Sequence, residues 1–112
     1  DAYMAGELKN GPIALIEKDT VVIALATQPS VAQKTISNIL ETVARGAKVI
    51  LIASQSQNTE GFEYVIRIPD VDPLLSCIPA TVLLQELAYY VAKEKGCDVD
   101  KPRNLAKSVT VE

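Results

Sequence analysis

Two short β-branched apolar runs, Thr20 to Thr27 and Ala47 to Ser54, flank a single helix-length segment, and that arrangement admits few folds. Continuous apolar runs of this length suit strands buried on both faces of a parallel sheet. Between them, Pro29 discourages helix before it, and Ser30 with Gln33 has the spacing of a capping box. Ile36, Ile39, Leu40 and Val43 recur at helical spacing, and Arg45-Gly46 supplies a basic last turn and a left-handed cap. The spacing predicts a helix over about 30–45 inside a βαβ unit, and so a parallel sheet.

A third strand is expected at Tyr64 to Ile68, with Tyr64, Ile66 and Ile68 on one face and Pro69 ending it. Polar residues from Gln55 to Gly61 read as a loop at the carboxyl end of the second strand, where open α/β sheets bind ligands. From Pro79 to Lys95 runs a long helix, stopped by Gly96, whose Leu83, Leu84, Leu87, Ala88 and Val91 form an apolar stripe expected to face the sheet. Met4 to Lys9 reads as a helical piece, followed by the turn signal Asn10-Gly11-Pro12. Asp98 to Glu112 has no strong periodicity and is expected to be an irregular tail. The fold class is α/β, a parallel sheet flanked by helices. Its open edges suggest further strands upstream, and with Asp at position 1 the chain looks cut from something longer.

Composition removes several function classes. With 112 residues the chain has room for one core, and its net charge of -3 shows no clustered basic face for nucleic acid. Cys77 and Cys97 lie far apart and there is no histidine, so a zinc site is not expected and both cysteines read as free thiols. No apolar run, Val21 to Ala26 and Val49 to Ala53 included, approaches the roughly 20 residues of a membrane-spanning helix, and the protein is expected to be soluble.

Two local sequences go further than periodicity. Ala5-Gly6-Glu7-Leu8-Lys9-Asn10-Gly11-Pro12 resembles the AGELKHGP segment of the glucosamine-6-phosphate synthase family, the isomerising glutamine:fructose-6-phosphate aminotransferases. The stretch from Gly96 to Glu112 is similar to that family's C-terminal tail, with its DxPRNLAKSVTVE ending. The order strand, helix, strand, strand, long helix between them agrees with the family's second sugar isomerase (SIS) domain. On this resemblance, residues 1–97 are the C-terminal portion of that domain and 98–112 a catalytic tail.

The resemblance implies a cytoplasmic, dimeric parent enzyme with a glutaminase domain and two SIS domains, converting fructose 6-phosphate and glutamine-derived ammonia into glucosamine 6-phosphate. It assigns Lys107 the Schiff base with the open-chain ketose. Arg103 and Ala106 fall near the substrate, and Ala106 and Val109 on the stretch near the ammonia route. Asn10 stands where the family has its ring-opening histidine; an asparagine can hold a ring oxygen but cannot relay a proton near neutral pH. The general-base glutamate, the phosphate-binding residues and the glutaminase nucleophile belong upstream, so the isolated chain is expected to be inactive.

The implied chemistry is physically consistent. Only a neutral amine attacks a carbonyl, so Lys107 needs its pKa lowered by desolvation or by a cation such as Arg103, four residues earlier. No metal or organic cofactor is called for, because the imine itself stabilises the carbanion character of the isomerisation. Two other readings compete: an SIS module that binds a phosphosugar without transforming it, and a dimerisation module using the long helix.

Overall fold

A computed structural model describes residues 1–101 and 103. They divide into two compact units, Asp1–Ala80 and the part from Thr81 onward. The first unit holds a three-stranded parallel sheet in the order β1 (Val21–Ala26), β2 (Lys48–Ser54), β3 (Tyr64–Ile68). Helix α1 (Pro29–Ala44) connects β1 to β2. Short 3-10 turns occupy Ala5–Asn10, Pro12–Leu15 and Pro73–Leu75, and helix α2 spans Cys77–Glu94.

The core lies between α1 and one face of the sheet. Ala24 and Ala26 of β1 and Val49, Leu51 and Ala53 of β2 meet Ala32, Ile36 and Ile39 of α1. Alanines on β1 let the helix approach closely, and Leu51, fully buried, fills the space between. Thr42 is also fully buried, which its hydroxyl tolerates by donating to the Ile39 carbonyl at 2.7 Å.

The end of α1 follows its sequence closely. Gly46, at φ +91, donates to Val43 O at 2.9 Å and Ala47 donates to Thr42 O at 3.1 Å, the two bonds of a Schellman motif. A Cβ on Gly46 would stand 3.3 Å from Lys18 Cα, so the position has neither conformational nor spatial room for a side chain. Gly96 closes α2 in the same way, with Gly96 N to Lys93 O and Cys97 N to Ala92 O both 2.9 Å. The start of α1 departs from expectation. The helix begins at Pro29 with Gln28 as its N-cap and no side-chain cap, so the Ser30–Gln33 capping box does not form. Proline at the first helical position, with its fixed φ and no N–H to satisfy, sets the start one residue earlier.

Two burial expectations are corrected. β1 is not buried on both faces, since Val21, Ile23 and Leu25, which share the face away from α1, are 64%, 46% and 45% exposed. Nor is the α2 stripe buried. Leu83, Leu84 and Leu87 are only half-buried, Ala88 and Val91 are exposed, and Ala80 is the helix's buried residue. Periodicity says which residues share a side but not whether anything covers it. The same helix corrects the membrane reading: by length and composition alone, Pro73–Glu94 is apolar enough to cross a membrane, with a mean hydropathy of 1.4. Gln85 and Glu86 in mid-helix favour an uncovered packing helix instead.

These differences set a stability contrast. Leu51→Ala is expected to cost about 2–5 kcal/mol by urea unfolding, whereas Val91→Ala should stay within about 0.5 kcal/mol.

Candidate functional site

The residues singled out in sequence fall in three places. Asn10 closes the first 3-10 turn, in the first unit, and Arg103 lies in the second. Lys107, Ala106 and Val109 lie outside the described residues.

Around Asn10 the chain is held firmly. Leu8, 8% exposed, anchors the turn in the core, and Lys9 Nζ pairs with Glu41 Oε1 of α1 at 2.7 Å. Asn10 itself is exposed and its Nδ2 donates to Glu7 Oε2 at 2.8 Å. Gly11 follows at φ +144, a backbone state that only glycine adopts readily, and lets the chain turn into Pro12. The local chemistry of Asn-Gly-Pro therefore explains the turn, and the bond to Glu7 is an addition the turn does not require.

Arg103 lines a cavity of about 940 Å³ together with Tyr89, Lys95, Asp98 and Lys101. Three cations against one carboxylate make that concavity suited to an anionic ligand. A second cavity, about 550 Å³, lies beside β1 and the N-terminal segment, walled by Leu8, Pro12, Leu15, Val22 and Ala24 among others. Its apolar walls fit a packing element better than a sugar, which needs hydrogen-bonding partners for its hydroxyls.

At the carboxyl ends of the strands, the loop after β2 is organised by a residue that carries no motif. Arg67, on β3, donates from Nη1 to the carbonyls of Ser54 and Gln57 and from Nη2 to Thr59 Oγ1, each at 2.7 Å. A guanidinium with three close protein acceptors is committed to shaping the loop. Asp70 accepts from the Ser56 hydroxyl at 3.1 Å, closing the other side. After β1, Gln28 Nε2 donates to Pro73 O at 2.9 Å and Ser76 Oγ at 2.8 Å. Among the described residues, Ser54 Oγ is buried with no hydrogen-bond partner. Sequence reading missed Arg67 and Gln28; the signal available was a charged residue within an otherwise apolar β3.

Lys48 stands at the opposite end of β2. The Asp19 carboxylate, 2.9 Å away, holds its ammonium above the ordinary lysine range by hydrogen bond and charge. Such a raised pKa favours the charged form, the reverse of what a nucleophilic lysine needs, and the pair is lost only as pH climbs past that range. Among the described residues no cluster of cysteine and carboxylate side chains could hold a metal ion.

Replacing Arg67 with Met should raise amide exchange at Gln57 and Thr59 on the order of tenfold while exchange in β2 stays unchanged; uniform acceleration would show that the clamp is not local.

Comparison with known proteins agrees with this architecture. Residues 1–91 match the family described as SIS domain. Over its whole length the chain is 58% identical to glutamine–fructose-6-phosphate aminotransferase [isomerizing] of Clostridium tetani and 55% identical to that of Clostridium acetobutylicum, spanning 19% of each relative. The solved C-terminal domain of glucosamine-fructose-6-phosphate aminotransferase from Francisella tularensis superposes with a TM-score of 0.81 at 36% identity, covering 91% of this chain and 30% of that one. The chain belongs to the SIS domain family, and it matches the C-terminal part of the isomerising glutamine–fructose-6-phosphate aminotransferases.

Proposed function

We propose that this chain is the C-terminal segment of the isomerase part of a cytoplasmic enzyme that makes glucosamine 6-phosphate from fructose 6-phosphate and glutamine-derived ammonia. The observation that carries this reading is a match along the whole of this chain, and 19% of each relative, to proteins named for that activity. Residues 1–97 form the C-terminal portion of the second SIS domain and 98–112 the catalytic tail. Glutaminase and first SIS domains lie in the rest of the enzyme, and the chain alone is inactive.

Lys107 attacks the ketone carbon as a neutral amine. Water leaves, and the resulting iminium draws electron density from the neighbouring carbon, so that a proton can be removed there by a base supplied elsewhere in the enzyme. Cations disfavour a further positive charge, so a basic surrounding of the kind formed by Lys95, Lys101 and Arg103 supports the neutral amine. Arg103 also suits a place near the substrate, where a guanidinium can donate several hydrogen bonds to oxygen acceptors. Ala106 and Val109 offer small and apolar surfaces beside the substrate and the path of ammonia.

Borohydride reduction of the full-length enzyme with fructose 6-phosphate, followed by peptide mass spectrometry, should place the sugar adduct on Lys107. Lys107→Arg should abolish that adduct, and labelling at another lysine would remove the mechanism.

The uncovered apolar side of α2 favours a second role in association, with a homodimer as the expected state of the enzyme. Tyr89 and Tyr90, 46% and 61% exposed, and Val91 leave a large apolar surface on that helix. Leu87→Asp should lower the sedimentation coefficient of the full-length enzyme to that of a monomer, whereas unchanged association would remove α2 from the interface.

A further inference from the structure

The connection from β3 into α2 exposes apolar side chains where a surface connection is ordinarily polar. Leu74 is 87% exposed, and Ile78, Leu75 and Val71 are 58%, 52% and 41% exposed, all within the first unit. Ile78 lies four residues after Leu74 and three after Leu75, the spacings of neighbours on one side of a helical run. A single exposed leucine is ordinary, but apolar side chains gathered in this way mark a contact surface. From Pro73 to Ala80 there is no charged residue, so the surface fits an apolar partner.

The backbone beneath these side chains is already set. Asp72 Oδ1 accepts from the Leu74 N–H at 2.9 Å, and the Asp72 carbonyl accepts from the Leu75 N–H at 2.8 Å. Ser76, buried, donates from Oγ to Pro73 O at 2.9 Å, and Gln28 Nε2 donates to both Pro73 O and Ser76 Oγ. Gln28 is the N-cap of α1, two residues beyond β1, so its bonds pin the turn at the carboxyl end of that strand. A surface held in its final shape loses little conformational freedom on docking.

The partner follows from the size of the surface and from the chain's place in its relatives. Four side chains fall well short of the roughly 20–30 residues that each partner gives to a stable complex of separate chains. A domain on the same polypeptide needs less area, because the linkage supplies a high effective concentration. The chain spans 19% of each relative, so most of such a polypeptide lies outside it. The carboxyl ends of the strands are also where open α/β sheets bind ligands, and the reaction proposed above draws its phosphate-binding residues from upstream. We infer that the turn over 71–78 is a preformed apolar knob that seats in an apolar pocket of the first SIS domain of the same polypeptide, with Gln28 as the pin that keeps its shape. The inference rests on the reading of the chain as a C-terminal segment of that enzyme and names a contact within it.

A photoreactive side chain at the most exposed of these positions tests the contact. In the full-length enzyme, Leu74→p-benzoylphenylalanine, irradiated and analysed by peptide mass spectrometry, should cross-link within one polypeptide to a peptide of the first SIS domain. A cross-link between two polypeptides, to the glutaminase domain or to residues 1–101, or no cross-link at all, would overturn the inference. Gln28→Met keeps the length of the side chain and removes its donor, and should lower the cross-link yield roughly threefold; an unchanged yield would overturn the pinning role. Leu74→Ser should raise amide exchange in the cross-linked peptide on the order of tenfold while exchange in β2 stays unchanged. No change in that peptide, or acceleration in β2 as well, would count against docking through Leu74. Failure of Lys107 to form the borohydride adduct would instead strike the proposed reaction and leave the cross-link as it stands.

Discussion

Central strand β2 is the constraint from which the rest of the first unit follows. Leu51, Ile52 and Ala53 are each fully buried, which no residue of β1 or β3 matches over three consecutive positions. With both neighbours parallel and in register along it, a one-residue slip would exchange Leu51 and Ile52 between faces. The helix α1, ended by Gly46 and the Ala47 N–H, returns the chain at the level where Lys48 can oppose Val21. That return fixes where the carboxyl ends of β1 and β2 stand, and therefore where Gln28, Ser54 and the loop held by Arg67 are displayed.

Elements governed by local rules were legible in the sequence. β2, β3 and α1 fall within a residue or two of expectation because their patterns, caps and breakers act over a few residues. The helical piece at Met4 to Lys9 forms as a 3-10 turn one residue later, tight enough to bring Glu7 against Asn10. Failures arose where the outcome depends on what lies beyond the pattern. Ser30 and Gln33 have capping-box spacing, yet proline at position 29 takes the first helical place. Val21, Ile23 and Leu25 have the composition of a strand buried on both sides, but burial needs a covering layer, which composition cannot supply.

The candidate site was legible in a different way. Lys107, Arg103, Ala106, Val109 and Asn10 came from matched motifs, because no periodicity marks a reacting amine or an ammonia route. Arg67 came from neither source. Its three bonds join residues separated by 8, 10 and 13 positions, a pairing that exists only once β3 lies beside β2. The exposed side of α2 and the open face of β1 agree with a chain that spans 19% of its relatives' length.

The central claim is that the terminal segment delivers a neutral amine to an opened sugar phosphate. A crystal structure of the full-length enzyme with fructose 6-phosphate bound tests it most directly. The account predicts Lys107 Nζ within bonding reach of the ketone carbon, with Arg103 close by. A tail extending into solvent, with the sugar bound and Lys107 remote from it, would contradict the account.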